Sequence, residues 1–448
     1  MGKNRKKLKK TEKVQPNVNS KGKYGLPEDY LDRMEEFFGE EYPAFLNEYS
    51  KKPLKGLRFN MNKARKETIE KLVKLWKLEP VPWCDTGYYY DDDMDIVSSD
   101  GKTDKLRPGK SPYHAAGVFY IQEPSAMITA SKADIKENEI VLDLCAAPGG
   151  KSTQAAERAG ILISNEIIPK RARILSSNIE RLGFENVIVT SASPEELSMV
   201  LPEYFDKIIV DAPCSGEGMM RRDETAVNEW SLENVNTCVL RQKEILAFAD
   251  KMLKPGGRLV YSTCTFEPYE NKWQIRSFVN SHPEYSILEQ EHIYPHKEKG
   301  EGHYCAVLKK EGNCQGTISN ETISENMEYM TKLLKNSGIH VLRSGIEKGE
   351  LIIGKYNGDL RYEPSHAEIM AKDYDKSENA VNLFDENMAL SYLRGESLRL
   401  NRDEEAKTFE EKGEESYISV CFDGYSLGLG KRSKDQIKNH YPKGLRFF

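Results

Sequence analysis

Short apolar runs alternate with amphipathic segments in the middle of the chain, from about residue 140 to residue 263. Turn residues bound the apolar runs, and most runs are followed by a stretch with helical spacing. This alternation predicts a parallel sheet covered by helices on both faces. We predict strands at 140–144, 161–164, 187–189, 207–210 and 258–262, helices from 151 and at 169–182 and 233–253, and a turn at 254–257.

The regions on either side have different patterns. Residues 27–49 have helical spacing, with Leu31, Met34, Phe37 and Phe38 on one face. A strand at 54–61 and an amphipathic helix at 68–77 are predicted to follow. Beyond residue 310 the chain turns polar, and we predict a linker at 313–330, strands at 340–342, 351–353 and 417–422, an exposed charged stretch at 400–415 and a glycine-rich segment at 424–430. This part is typical of a small, separate α+β or β unit.

The composition narrows the class of protein. A chain of 448 residues is long enough for two to four domains. It has no apolar run of about 18 residues, so we expect no membrane span, and no apolar segment follows the basic N-terminus, which argues against a secretory signal. The eight cysteines include no CxxC pair. That pattern favours reduced thiols, a cytoplasmic location and no metal site.

Charge is unevenly distributed. The net charge of −6 argues mildly against nucleic-acid binding, but residues 1–23 hold nine Lys and Arg against one acid, Glu12. Residues 430–446 are also basic. Such patches can attract phosphate whatever the total charge, although solvated tails and faces have the same composition. We predict that residues 1–23 form a disordered basic tail.

A glycine-rich loop follows the strand predicted at 140–144. Its small residues would let a ligand approach the backbone closely, ahead of a helix start. A phosphate-binding P-loop would need glycine where Cys145 stands, and the dinucleotide pattern GxGxxG is absent. The loop therefore favours a nucleoside cofactor, with Glu166 at the end of the next strand taking the ribose hydroxyls. The alternative is a tight turn that binds nothing.

Two cysteines follow neighbouring strand ends in polar surroundings. Asp211 ends one predicted strand and Cys214 comes just after it; the carboxylate could accept a hydrogen bond from the exocyclic amine of cytosine. Cys264 is the stronger candidate nucleophile, although a reactive thiol needs neighbours that favour its thiolate. A buried small hydrophobe is the alternative for Cys214. The remaining cysteines have no such setting and are interpreted as structural or incidental: Cys84, Cys145, Cys238, Cys305, Cys314 and Cys421.

Three ordered motifs resemble the Nop/Sun-type RNA 5-methylcytosine methyltransferases. They are LDLCAAPGGK at 142–151, DAPCSG at 211–216 and STCT at 262–265. Arg58 and Asn60 resemble the N-terminal motif of that family, YIQEPS at 120–125 is similar to its segment before the glycine-rich loop, and the similarity covers about 24–310. At the C-terminus, YLRGE at 392–396 and KNHYPKGLR at 438–446 resemble the PUA-like unit of the RsmF-type bacterial 16S ribosomal RNA subgroup.

The resemblance implies an α/β fold of the Rossmann-like class I type that uses S-adenosylmethionine. It also implies an N-terminal RNA-binding extension at 24–112, a catalytic domain at 113–310, a linker at 311–330 and a C-terminal RNA-binding region with the PUA-like unit at 331–448. The residues expected to contact the cofactor are Cys145, Ala146, Ala147, Pro148, Gly149, Gly150, Lys151, Glu166, Ser193 and Asp211. Ser193 is a departure, because many relatives have Asp there.

The mechanism implied by the family assigns one role to each of three residues. Cys264 would attack C6 of a flipped-out cytosine, C5 would take the methyl group, Cys214 would help to remove the C5 proton and release the adduct, and Asp211 would hold the base. The expected partner is small-subunit ribosomal RNA, with neither membrane nor metal, and a monomer is favoured. Three alternatives remain: action on transfer RNA, a non-catalytic RNA-binding assembly factor, and exchanged roles in which Cys214 is the nucleophile.

Overall fold

The computed structural model describes residues 22–97, 103–314, 316, 318–319, 322–353, 360–373, 377, 379–399, 406–407, 417–433 and 436–447. Residues 1–21 of the predicted basic tail lie outside this part of the chain. The same holds for all of the predicted charged stretch at 400–415 except residues 406–407.

The N-terminal region is a small α/β layer around an antiparallel sheet in the order β2-β3-β1-β6. Its elements are α1 (Glu28–Phe38), α2 (Tyr42–Asn47), β1 (Lys55–Phe59), α3 (Lys66–Leu75), β2 (Glu79–Val81), β3 (Cys84–Tyr90), β4 (Asp95–Val97), β5 (Thr103–Lys105), α4 (Pro112–Ala115), β6 (Phe119–Ile121) and α5 (Ile128–Lys132).

The helix predicted at 27–49 is present, but it is interrupted. Gly39, with a φ of +53°, ends α1 before the chain turns into α2. The buried face of α1 is formed by Tyr30, Met34 and Phe38, whereas Phe37 is exposed. Neighbouring residues on a helix point about 100° apart, so Phe37 and Phe38 do not share one narrow face.

The central sheet has eight strands in the order β12-β13-β11-β10-β7-β8-β9-β14. Its elements are β7 (Ile140–Asp143), α6 (Gly150–Ala156), β8 (Ile161–Asn165), α7 (Pro169–Leu182), β9 (Val187–Ser191), α8 (Pro194–Val200), β10 (Phe205–Asp211), α9 (Glu224–Glu229), α10 (Leu232–Met252), β11 (Leu253–Thr263), α11 (Lys272–Ser281), β12 (Tyr285–Ile293), β13 (His303–Lys310), α12 (Ile323–Asn336) and β14 (His340–Ser344). Strands β7 to β11 are parallel, and the last three are antiparallel. The predicted parallel α/β fold is confirmed.

Two predictions beside this sheet need correction. The turn predicted at 254–257 lies inside β11, where it forms an irregularity: pairing with β10 passes from Leu253 directly to Arg258. The linker predicted at 311–330 is wrong in its second half, because α12 begins at Ile323 and leads into β14 at the sheet edge. Polar residues predominate in α12, so its composition does not reveal the buried face. That face is formed by Met327, Met330 and Leu334, which pack into the core of the sheet.

The C-terminal region contains a six-stranded sheet in the order β18-β22-β21-β20-β17-β19. The elements are β15 (Glu350–Ile353), β16 (Leu360–Glu363), α13 (His366–Met370), β17 (Ala380–Leu383), α14 (Glu386–Leu393), β18 (Leu398–Arg399), β19 (Ala406–Lys407), β20 (Tyr417–Phe422), β21 (Tyr425–Ser433) and β22 (Gln436–Asn439). The glycine-rich segment at 424–430 is largely strand, since most of it belongs to β21.

The C-terminal region has a sheet of its own, as expected, but that sheet packs on the N-terminal region. Its buried apolar residues form one core with those of the N-terminal sheet. The Tyr425 hydroxyl donates to Thr68 Oγ1 and accepts from the Arg65 backbone N–H, both at 2.9 Å. The Tyr113 hydroxyl donates to Asp423 Oδ2 at 2.6 Å. Sequence patterns could not reveal this packing, because it joins residues more than 300 positions apart.

None of the described helices is both long and apolar enough to cross a bilayer.

Candidate active site

The glycine-rich loop connects β7 to α6 at the carboxyl edge of the central sheet. Asp143, the last residue of β7, is fully buried, and its Oδ2 accepts a hydrogen bond from Ser152 Oγ at 2.6 Å. Its Oδ1 has no hydrogen-bond partner among the described residues. Burial raises the pKa of Asp143 to about 7. Unsatisfied buried oxygens of this kind call for a ligand or water donor.

Glycine is favoured at two positions of this loop. Gly149 has a φ of +115°, which side-chain-bearing residues rarely adopt. A Cβ on Gly150 would lie 3.2 Å from Cδ of Gln122. The loop is therefore fitted closely against the N-terminal region, and burial raises the pKa of its Cys145 thiol.

Glu166 lies where the sequence predicted, just after β8 and next to the loop. It is 3% exposed, and its Oε1 accepts from the Ile168 N–H at 3.0 Å. Arg171 connects it to the loop, with Nη1 lying 3.3 Å from Glu166 Oε2 and Nη2 donating to the Ala147 carbonyl at 2.9 Å. The structure thus brings Glu166 and the loop together.

Ser193 is the N-cap of α8. Its Oγ accepts from the Glu196 N–H at 3.2 Å, and Glu196 Oε2 accepts in return from the Ser193 N–H at 2.7 Å. This capping box accounts for the residue type. Its predicted contact with the cofactor remains a prediction.

Asp211 and Lys151 form an ion pair between β10 and α6. Lys151 Nζ lies 2.8 Å from Asp211 Oδ2, and Ser262 Oγ donates to Asp211 Oδ1 at 2.9 Å. Burial would raise the pKa of Asp211, but Lys151 and His303 hold that pKa below its ordinary value. The pKa of Lys151 is raised: burial lowers it, and the attraction of Asp211 outweighs that. Both groups are therefore charged at neutral pH.

The two cysteines face each other across the ends of β10 and β11. Cys214 Sγ and Cys264 Sγ are 3.3 Å apart, and both residues are partly exposed. The hydrogen bond to Cys264, burial and the negative charge on Cys264 raise the pKa of Cys214 well above its ordinary value. After burial and Asp211, the charge of Cys264 also contributes to the pKa of Lys151. This arrangement keeps the proton on Cys214, and it places Cys264 within electrostatic reach of the buried Lys151 ammonium group.

The loops that carry the thiols are linked to each other. The Gly218 N–H donates to the Cys264 carbonyl at 2.9 Å. Ser215 Oγ and Thr265 Oγ1 are 2.7 Å apart. Helices α1 and α2 pack on these loops through an apolar cluster that includes Trp230 and Phe266. The N-terminal extension therefore supports the thiol loops directly.

The motif residues of the N-terminal extension have structural roles. Arg58 is fully buried, pairs with Glu157 and donates from Nη2 to Thr153 Oγ1 at 2.8 Å. Asn60 Nδ2 donates to the carbonyls of Gly117 and Leu182, at 3.1 and 3.0 Å. Arg58 thereby connects β1 to α6, the helix that follows the loop.

Sequence reasoning missed three buried polar residues near the thiols. His303 Nε2 lies 4.0 Å from Asp211 Oδ1, and burial followed by the charge of Lys151 lowers the pKa of His303 to about 3. Glu270 and Gln242 hydrogen-bond each other beside Cys214. A polar residue at a position where the helical spacing predicts an apolar one, as Gln242 is on the buried face of α10, could have indicated such a site.

Models of three protein families match successive parts of the chain. Residues 130–309 match the 16S rRNA methyltransferase RsmB/F family, residues 26–124 the N-terminal domain of 16S rRNA methyltransferase RsmF, and residues 379–447 the methyltransferase RsmF PUA domain. Ribosomal RNA small subunit methyltransferase F of Aliivibrio salmonicida (strain LFI1238) is 33% identical over 88% of this chain and 92% of its own. The chain belongs to the ribosomal RNA small subunit methyltransferase F family.

Other comparisons agree with this family. Ribosomal RNA small subunit methyltransferase F of Vibrio vulnificus (strain YJ016) is 29% identical over 94% of this chain and 97% of its own. A solved methyltransferase homolog protein from Pyrococcus horikoshii is 26% identical with a TM-score of 0.55, over 64% of this chain and 96% of that one. The structure of NSun6 from Pyrococcus horikoshii with SFG covers 64% of this chain and 99% of its own; at 22% identity and a TM-score of 0.55, it shows the fold alone.

Family membership confirms the resemblance seen in the motifs. This methyltransferase F family member is an S-adenosylmethionine-dependent methyltransferase of cytosine C5 in ribosomal RNA. At the glycine-rich loop, Asp143 Oδ1 has no donor among the described residues and can accept a hydrogen bond from such a cofactor.

Proposed function

We propose that the enzyme methylates cytosine through a covalent bond between Cys264 Sγ and C6 of the base. The observation that carries this proposal is the 3.3 Å approach of Cys264 and Cys214 beside the Lys151–Asp211 ion pair. One thiol of such a pair can act as nucleophile while the other handles the proton. C5 of cytosine becomes nucleophilic only when C6 carries an adduct.

In this mechanism Cys264 adds to the base first and leaves it last. The Cys264 thiolate adds to C6, and the electrons of the C5–C6 double bond move to C5. C5 would take the methyl group of bound S-adenosylmethionine; the electrons of the broken S–CH3 bond would stay on sulfur, leaving S-adenosylhomocysteine. With Cys264 alkylated, its hydrogen bond and charge no longer raise the pKa of Cys214, burial alone opposes ionisation, and Cys214 gives its proton to solvent. Its thiolate then takes the C5 proton, the double bond reforms, and Cys264 leaves as thiolate.

The surrounding residues hold the reactants in this proposal. Asp211 stays ionised and accepts a hydrogen bond from the exocyclic amine of cytosine. Glu166 binds the ribose hydroxyls of the cofactor, and Ser193 lies on the adenine side. The loop residues that line the cofactor site are Cys145, Ala146, Ala147, Pro148, Gly149, Gly150 and Lys151.

The substrate is small-subunit ribosomal RNA, with the target base flipped out of its stack. The N-terminal extension and the C-terminal region are proposed to bind that RNA, and a monomer is favoured. The match to the RsmF PUA domain supports ribosomal rather than transfer RNA. A non-catalytic assembly factor would not require two thiols at this distance.

Separate replacement of Cys264 and Cys214 by Ala tests the assignment. Each variant is incubated with tritiated S-adenosylmethionine and small-subunit ribosomal RNA, and RNA–protein adducts are resolved on denaturing gels. We expect Cys264→Ala to abolish methylation without adduct and Cys214→Ala to accumulate a covalent complex. Cys421→Ala, at a buried cysteine of the C-terminal sheet, is the control. An inactive, adduct-free Cys214→Ala beside an active Cys264→Ala would make Cys214 the nucleophile.

A further inference from the structure

A buried pair of polar side chains holds the backbone on both sides of Cys214. Gln242 lies in the middle of α10, and Glu270 lies in the turn between β11 and α11; both side chains are fully buried. Gln242 Nε2 donates to the Pro213 carbonyl at 3.0 Å and to Glu270 Oε2 at 2.8 Å. The Ser215 N–H donates to the same Glu270 Oε2 at 3.0 Å. One carboxylate oxygen and one amide nitrogen thus hold the residue before and the residue after Cys214.

Glu270 is itself held in place from the strand that leads to Cys264. The Tyr261 hydroxyl in β11 donates to the Glu270 carbonyl at 2.7 Å, and the Glu270 N–H donates to the Glu267 carbonyl at 3.2 Å. The pair therefore fixes the position of Cys214 relative to β11, the strand that leads to Cys264.

We propose that Glu270 and Gln242 are positioning residues that hold Cys214 against Cys264 and so set the rate at which the covalent adduct is released. This inference rests on the proposed function, because it assigns release of the adduct to Cys214. Neither side chain is proposed to touch the RNA or the cofactor.

The cost of this arrangement argues against a filling role. A buried carboxylate loses its hydration, and apolar residues of similar volume would pack here without that penalty. Glu270 Oε1 and Gln242 Oε1 find no hydrogen-bond partner among the described residues, so the pair is not optimised for stability. Burial raises the pKa of Glu270 to about 7. The hydrogen bonds that the pair does make include those to the Pro213 carbonyl and the Ser215 N–H, on either side of Cys214.

The test uses Gln242→Met, which keeps the volume and removes both donated hydrogen bonds, and Glu270→Ala. We expect each to lower kcat by up to ~100-fold, as a misplaced catalytic group does, with an unchanged KM for RNA. Each should also accumulate the RNA–protein adduct during turnover. Glu270→Gln should recover most of kcat, because one amide oxygen can still accept from Ser215 and Gln242.

The matched control is Gln274→Met. Gln274 is also a buried glutamine; its Nε2 donates to the Val239 carbonyl of α10, and it makes no hydrogen bond to the Cys214 loop among the described residues. We expect this variant to lose stability comparably and to accumulate no adduct. The double variant Cys214→Ala/Gln242→Met should behave like Cys214→Ala alone if Gln242 acts through Cys214.

The outcomes separate this inference from the proposed function. If Cys214→Ala traps adduct while Gln242→Met and Glu270→Ala fold but turn over without it, the positioning role is overturned and the mechanism stands. If Cys214→Ala itself traps none, the proposed mechanism has failed. If Glu270→Ala does not fold, Gln242→Met carries the test alone, and comparable adduct in Gln274→Met would overturn the inference.

Discussion

Replacement of Lys151 by Met should destabilise the protein and reverse one part of its pH dependence. Lys151 Nζ lies 2.8 Å from Asp211 Oδ2, and the Lys151 side chain is 10% exposed. Met fills a similar volume without the charge, so the change leaves the Asp211 carboxylate with Ser262 as its remaining close hydrogen-bond partner.

The distance gives the size of the effect. Two unit charges at that separation attract by ~6 kcal/mol at an effective dielectric constant of about 20. One third of the Asp211 side chain is exposed, so solvent screens part of this and we expect about 3 kcal/mol, close to the lower end measured for broken buried pairs. Asp211→Asn should cost a similar amount, because it leaves Lys151 buried and unpaired. The double variant should recover about 2 kcal/mol of the summed loss.

The assay is urea unfolding of wild type, both single variants and the double variant, without cofactor or RNA. In wild type the lowered pKa of Asp211 contributes stability that is present above the unfolded-state value of about 4 and lost as pH falls. In Lys151→Met burial dominates, the folded pKa lies above that value, and the contribution of Asp211 is lost as pH rises instead. A coupling below about 0.5 kcal/mol, or parallel pH profiles, would refute this reasoning.

Three further predictions concern single contacts. A Cβ on Gly218 would lie 2.7 Å from the Gly302 carbonyl oxygen and 3.0 Å from that of Cys264; we therefore expect Gly218→Ala to cost ~1–3 kcal/mol in thermal unfolding and most of the methylation activity, whereas the unhindered Gly444→Ala should change neither. Tyr425→Phe removes a buried hydroxyl that serves two partners; it should cost about 1–3 kcal/mol and increase the rate of limited proteolysis, and a wild-type rate would contradict the shared core. Burial and the charge of Glu267 raise the pKa of Glu217 to about 7, so wild-type stability should fall as pH rises through that value and Glu217→Gln should fall less, as measured by unfolding at pH 5 and pH 8.

The sequence predicted most of the central sheet and the strand ends at which the candidate site residues lie, for a physical reason. Parallel strands are buried on both faces and end in turns, so their apolar runs stand out, and their carboxyl ends meet at one edge. That rule alone placed Glu166, Asp211 and Cys264 together. The charge pair of Asp211 with Lys151 was not predictable in detail, because spacing does not show where a lysine side chain ends.

Other parts depended on tertiary packing. The sequence pattern predicts a linker where α12 lies, because the exposed polar face of the helix dominates its composition. Gln242 and Glu270 lie 28 positions apart in the sequence and hydrogen-bond each other in the folded chain. Their other partners are backbone groups, which a sequence pattern does not distinguish. Ser193 is the opposite case, because local sequence could have predicted its role. A serine three residues before Glu196 is a helix-capping pattern, whereas the family resemblance drew attention only to the absence of Asp at this position.

The core shared by the two ends of the chain has a consequence for biosynthesis. The Thr68–Tyr425 hydrogen bond spans 357 positions. At ~5–20 residues per second, a ribosome needs roughly 20–70 s to add the strands that cover the N-terminal sheet. Throughout that interval, side chains such as Leu72 and Tyr113 on the nascent chain lack their final neighbours. The N-terminal sheet of this enzyme therefore keeps part of its apolar surface uncovered during synthesis until the C-terminal strands are added.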